Sequence, residues 1–443
     1  MTNSLARRHF LKAIGLGIAA PLVLPATVLG RGPRPAPSNR VAIGLVGCGG
    51  MGFTDLRNMM ALPGVEVRAV CDVDKAHRDD IAAHVMREQA TKLDYQAPDC
   101  AACNEFERVL ERDDIDAVII ATPDHWHAGI AIAAAKAGKD IYGEKPLART
   151  IVEGRDMIRV VRRHGRVFQM GTQTRSSTAV QRIVDLVRNG AIGNIERVEA
   201  YIPQYGGGGV VSPQPVPEGF DYDRWLGPAP WAPYQAERCH GFFRVVLDYS
   251  GGTITDHGTH RLDVAKWGAN KEHEWPVRIE GEGQFPRDGL YDAVTVGRFE
   301  LTYADGVKFV AMTEPDIVNW GVCFFGDEGW IRVPMEAPLP HRPITASDPR
   351  ILAMPLRPDQ RVTRPSDNHW ANFIDCVRTR SEPVQPIESG HVATALPHLG
   401  NIAMELGRAI DFDPATGRFI NDDEANAKLD RPKRQPWARF FEA

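Results

Sequence analysis

Apolar positions along this chain of 443 residues fall into two textures. The run Val41-Ala-Ile-Gly-Leu-Val46 is almost unbroken, the mark of a strand buried on both faces. Val65-Glu-Val-Arg-Ala-Val70, Asp116-Ala-Val-Ile-Ile-Ala121 and Asp140-Ile-Tyr142 repeat the pattern, with helical stretches between them, one rich in alanine and closed by Ala137-Gly138-Lys139. Strands alternating with helices predict a parallel, doubly wound sheet over residues 39–150, with ligands bound beyond the carboxyl ends of its strands. From about 150 the texture changes. Two amphipathic helices, Val152 to His164 and Ala179 to Asn189, are followed by alternating stretches at Ile195–Ile202, Val277–Glu282, Ala293–Tyr303 and Val307–Met312, which read as antiparallel strands. Residues 151–443 are therefore expected to form an α+β domain with an open, mostly antiparallel sheet. Helical stretches from about 369, Asn372 to Arg378 and Val392 to Ala409, return onto that domain.

The first 38 residues stand apart. Arg7-Arg8-His9-Phe10-Leu11-Lys12 precedes an apolar stretch punctured by Gly15, Gly17, Pro21 and Pro25, the layout of a twin-arginine signal rather than of a spanning helix; an uncleaved anchor is the alternative. The expectation is export, folded, through the twin-arginine translocase to the periplasm. Composition adds exclusions: 43% hydrophobic and 25% charged residues are ordinary globular usage, and a net charge of −5 argues against nucleic acid as a partner. Seven scattered cysteines do not make a disulfide framework; Cys100-x-x-Cys103 reads as inert thiols, with a redox pair, half a zinc site or a disulfide as the alternatives.

The first strand runs directly into Gly47-Cys48-Gly49-Gly50-Met51-Gly52, a G-x-G-x-x-G in its proper setting. Gly47 permits the tight turn, Gly49 lets backbone approach a diphosphate, and Gly52 lets the next helix pack on the strand. The second strand ends at Asp72, where an acid meets the ribose diol; the carboxylate favours NAD over NADP unless a cation such as Arg78 compensates. Thr122-Pro123 with His127, and Glu144-Lys145, lie at the ends of the third and fourth strands.

With Gly251-Gly252-Thr-Ile-Thr-Asp256-His-Gly-Thr-His260, these motifs resemble the glucose-fructose oxidoreductase / inositol dehydrogenase / rhizopine catabolism (Gfo/Idh/MocA) family over nearly the whole chain after the signal. The resemblance implies Lys145, Asp256 and His260 as the catalytic group, and a homodimer or homotetramer built through the sheet. The cofactor contacts expected are Gly47, Gly49, Gly50, Met51, Gly52, Asp72, Thr122, Pro123, His127, Glu144, Lys145 and Gln173.

The residue types suit hydride transfer in their own right. His260 is a natural acceptor for a hydroxyl proton, Asp256 one helical turn earlier orients it or binds a hydroxyl, and Lys145 stabilises an alkoxide. Arg175, Tyr205, Trp225, Arg244 and His257 are expected to contact a carbohydrate, the Gly/Pro-rich loop from Tyr201 to Trp231 supplying aromatic faces. No metal is expected; His125-x-His127 and His257 with His260 have ligand-like spacing but need no ion. The leading expectation is NAD(P)-dependent oxidation or reduction of a secondary hydroxyl of a sugar or polyol. One alternative is an NAD-dependent glycoside hydrolase that oxidises transiently and eliminates, with Tyr205 or Tyr201 as base. A second is a non-catalytic nucleotide-binding protein, whose Lys145→Ala and His260→Ala variants change no turnover.

Overall fold

The computed structural model describes residues 40–92, 99–207, 209, 211–316, 319–335 and 343–443. The twin-arginine signal expected over 1–38 lies outside the described residues. The first sheet contains β1 (Val41–Val46), β2 (Val65–Cys71), β3 (Ala101–Cys103), β4 (Ala117–Ile120), β5 (Asp140–Gly143) and β6 (Phe168–Met170). Their order is β3-β2-β1-β4-β5-β6, every pair parallel. This is the dinucleotide-binding order, in which the chain reverses direction between β1 and β4 and leaves a crevice there. All six residues of β1 are buried, as its unbroken apolar run predicts. The sequence reading ends this unit at 150, but β6 continues the sheet to residue 170.

The second sheet contains β7 (Ile195–Pro203), β8 (Arg278–Gln284), β9 (Val296–Thr302), β10 (Lys308–Glu314), β11 (Gly321–Gly326), β12 (Gly329–Pro334), β13 (Thr345–Ala346), β14 (Ile410–Asp413) and β15 (Arg418–Phe419). Its order is β13-β12-β11-β7-β10-β9-β8-β14-β15. The sheet is mostly antiparallel, with one correction to the expected pairing: β7 and β10 run parallel. One face packs on helices Thr178–Arg188, Gly258–Gly268 and Ile387–Leu406 around a core that includes Phe299, Phe324 and Leu396.

Helix Ile387–Leu406 is apolar nearly all round because it is buried between the two units. Its Ile387 and Ala393 join the core beneath the first sheet, while Val392, Leu396 and Leu399 join that of the second. Helix His369–Thr379 corrects the expected return onto the second domain. Its Phe373, Ile374 and Cys376 pack beside β1 and β2. Cys100 and Cys103 lie in different cores, so they face away from each other, and all seven thiols are free. Burial pushes the Cys100 thiol up to about 12, which makes it inert.

Candidate active site

At the crevice, each glycine of the turn does a separate job. Gly47 has φ +99°, and a Cβ there would come within 2.5 Å of the Ala121 carbonyl oxygen. A Cβ on Gly52 would run into the Gly47 carbonyl, so a side chain would lift helix Gly50–Met60 off the strand. Around Gly49 and Gly50 a Cβ would meet nothing within 4 Å, because this backbone faces the open cleft. Asp72 braces the turn from β2: its Oδ2 accepts from the Cys48 amide at 2.7 Å and its Oδ1 from the Asp74 amide at 2.8 Å. A bare amide surface, a helix N-terminus and an acid at the end of β2 fit a nicotinamide dinucleotide. The Thr122 hydroxyl, on the same wall, is buried without a hydrogen-bond partner among the described residues.

The reactive cluster forms where the two units meet. Gly252, at φ +74°, turns the chain into helix Thr253–Asp256 and brings its last residue against β5. Lys145 Nζ donates to Asp256 Oδ1 at 2.5 Å and to the Asp256 carbonyl at 3.2 Å. The other carboxylate oxygen lies 3.1 Å from Arg244 Nε, 3.4 Å from the Tyr205 hydroxyl and 3.6 Å from His257 Nε2. Tyr205 also shares a hydrogen bond with His257 Nε2. Burial alone would raise the Asp256 carboxyl, but Lys145, Arg244 and His257 outweigh it and hold the group far below the usual carboxylate range. His260, one turn on, is lowered to about 3 by burial and by the Lys145 charge, and its Nδ1 is buried without a partner among the described residues. Its imidazole is therefore neutral at pH 7.

Lys145, Asp256, Arg244, Tyr205, His257 and His260 come together as expected. Met51, Thr122, Pro123, Glu144 and Trp225 line the cleft. Four other expectations need correction. His127 is buried, with Nδ1 2.7 Å from the Pro146 carbonyl and Nε2 2.8 Å from that of Thr122; it ties two cofactor-side turns together and does not line the cleft. Gln173 donates to Glu144 Oε1 at 2.9 Å and to the Tyr142 hydroxyl at 3.1 Å, supporting the cleft wall from behind. Arg175 is 3% exposed and bidentate to Asp263 at 2.8 and 2.9 Å, with Glu272 at 2.6 Å, so it cannot reach a substrate. Tyr201 donates to Glu199 on the sheet and is not part of the cluster.

On the covering side of the cleft, sequence reasoning named Trp225 and Arg244 but missed their neighbours. Phe220, His240 and Phe243, from the segment after β7, line the cleft together with Asn104, Phe106 and His77. Asp221 accepts from Asn104 Nδ2 at 2.8 Å, and Arg224 pairs with Glu107 at 2.8 Å. Asp55, on helix Gly50–Met60, was also missed. Burial and the neighbouring Glu144 raise its carboxyl, and burial raises Glu144 to about 7. No spacing motif announces contacts between residues so far apart in the chain.

Residues 41–172 match the family model described as an oxidoreductase family, NAD-binding Rossmann fold, and residues 177–439 match that of the same family's C-terminal alpha/beta domain. The chain belongs to the Gfo/Idh/MocA oxidoreductase family. Solved structures agree in fold: the WlbA dehydrogenase from Bordetella pertussis, in complex with NADH and UDP-GlcNAcA, superposes with a TM-score of 0.61 at 19% identity, covering 84% of this chain and 99% of that one. A levoglucosan dehydrogenase, in complex with NADH and levoglucosan, gives 0.59 at 18%, covering 84% and 99%. Among curated family relatives, an alpha-N-acetylgalactosaminidase of Shewanella oneidensis is 32% identical over 214 residues, 45% of this chain and 46% of that protein. A glycosyl hydrolase family 109 protein of Shewanella sp. strain ANA-3 is 31% identical over the same shares. The chain spans about half the length of the curated relatives it matches.

Proposed function

We propose that this family member is an NAD-dependent enzyme that oxidises a ring hydroxyl of a glycoside, and that the oxidation is transient, serving to release the glycosidic substituent. The observation that carries the reading is the sharing of the Asp256 carboxylate between two proton-handling arms, Lys145 on one oxygen and Tyr205 with His257 on the other. A plain dehydrogenase needs one such arm.

Bound between the glycine turn and Asp72, NAD would supply the hydride acceptor. The Asp72 carboxylate would repel a 2′-phosphate, which favours NAD over NADP. Lys145 holds the developing alkoxide of the hydroxyl being oxidised, and neutral His260 takes its proton. Once that carbon is a carbonyl, the C–H beside it is acidic, and Tyr205, its hydroxyl proton passed to His257, removes the carbon-bound proton as the phenolate. The electron pair left behind expels the substituent from the anomeric carbon. Water then adds at that carbon, the proton returns, and reduction of the carbonyl restores the sugar, with no net change in the cofactor. Such a cycle suits a protein exported folded, since no nicotinamide pool outside the cytoplasm is needed. The curated relatives named as glycosidases support this reading over net oxidation. Association into a dimer or tetramer through the open face of the second sheet remains part of the proposal.

The test is a panel of nitrophenyl glycosides and free sugars assayed for aglycone release and for absorbance at the NADH band. Release without NADH accumulation supports the reading. NADH formed in proportion to sugar, without release, makes the protein a sugar or polyol dehydrogenase instead.

A further inference from the structure

Beside the glycine turn, just beyond Asp72, three side chains from two distant parts of the chain converge. Asp74 and His77 sit where β2 passes into helix Lys75–Lys92, and His240 comes from the segment that covers the cleft. One ligand atom from each, a carboxylate oxygen and two imidazole nitrogens, lies within 4.8 Å of the other two. His240 Nε2 is 3.8 Å from Asp74 Oδ2, and the His77 and His240 ring centroids are 5.0 Å apart. Ligand atoms around a tetrahedral zinc, with bonds of about 2.0–2.1 Å, stand roughly 3.3 Å apart. Small side-chain rotations close that gap.

The donors are also aimed. Asp74 Oδ1 is taken up by the Ala76 amide at 2.9 Å, capping the helix, which leaves Oδ2 as the oxygen facing His240. The backbone of Asp74 is fixed by its bridge to Phe220 and by its amide bond to Asp72. His240 has a left-handed backbone, φ 50°, an uncommon conformation for a residue with a side chain, and its ring packs 5.6 Å from that of Phe220. The His240 side chain is 46% exposed, which leaves an entry path and a fourth position for water.

We propose that Asp74, His77 and His240 bind a divalent transition metal of the zinc type, joining the covering segment to the floor of the dinucleotide cleft. Two imidazoles and one carboxylate are the wrong donors for magnesium or calcium, which take oxygen ligands, and the right ones for zinc. The site is separate from Lys145 and Asp256 and does not depend on the reaction those residues carry. Sequence reading, weighing only His125 with His127 and His257 with His260, expects no metal; these three ligands are split between a helix start and a remote loop, with no local spacing to mark them.

The full chain, dialysed against chelator and then metal-free buffer, is titrated with Zn2+ by calorimetry, and hydrogen exchange of residues 239–246 is measured with and without Zn2+. One equivalent is expected to bind with micromolar or tighter affinity, to weaken at least about 100-fold in His77→Ala and in His240→Ala, and to slow exchange in that segment. Mg2+ is expected to do neither. Thermal melts without metal show whether each variant is folded; a variant that is not is replaced by His77→Gln or His240→Gln. Failure to bind, binding that survives both substitutions, or unchanged exchange on binding overturns the proposal. Because no substrate or turnover enters the measurement, its failure leaves the glycosidase reading untouched.

Discussion

Asp256 is the residue on which the site depends, because Lys145, Arg244, Tyr205 and His257 converge on its two oxygens and keep it ionised. Removing Lys145 takes away the charge that steadies an alkoxide. The Lys145→Ala protein is expected to lose about 10²–10³ in kcat, while mass spectrometry of the denatured protein still finds bound cofactor; unchanged turnover would instead fit a nucleotide-binding protein without catalysis. Tyr205 separates the two chemical readings. In Tyr205→Phe, aglycone release should fall by about 10²-fold while oxidation of the ring hydroxyl, followed as absorbance in a single turnover, persists. Equal loss of both would remove Tyr205 from the elimination step. Much of this was legible in the sequence, since the glycine turn, Lys145 and the Asp256 segment are local patterns at strand and helix ends. Arg175 was not. Its partners Asp263, Glu272 and Ser389 lie far along the chain, and only the fold shows that they consume the guanidinium.

At the scale of elements, the apolar runs located β1, β2, β4 and β5 of the Rossmann sheet, while β3 and β11 to β15 escaped notice. β3 is only three residues long, and the alternation of β11 and β12 is blurred because most of their residues are buried or half-buried. Pairing direction was equally hidden: the apolar period is the same for parallel β7 and β10 as for an antiparallel pair. The helices that hold the second sheet are pinned by the buried Arg175–Asp263 pair, joined by Lys266 at 3.3 Å from Asp263. Neutralising one member strands a buried charge, so Asp263→Asn is expected to cost about 3–5 kcal/mol, seen as a lower thermal midpoint and less soluble protein. A variant as stable as the parent would mean that the cluster does not hold the helices together.

For the whole molecule, burial of histidines ties stability to pH. Burial lowers His125, His391 and His398 to about 3 and His369 to about 4. Unfolded, these imidazoles take up protons below about pH 6.5, whereas the folded protein leaves them neutral down to about pH 4. The unfolded chain therefore binds more protons in that window, and stability falls as pH drops from about 6.5 toward 4, by at most about 1.4 kcal/mol per unit for each imidazole. Thermal midpoints at pH 7.5 and pH 5 should differ by several degrees, the acid value being lower; equal midpoints would show that these side chains are protonated in the fold. The way the two units meet also explains why the cofactor wall is easier to read from sequence than the covering segment. The first is built from consecutive loops of one sheet, while the second arrives from a segment that only the tertiary fold brings near. The central claim, transient oxidation at a carbon beside the one that loses its proton, is tested most directly by turning over a cleavable glycoside in heavy water. The sugar released should carry one deuterium, at the carbon between the oxidised position and the anomeric centre, with no NADH accumulated; a released sugar free of deuterium would contradict the account.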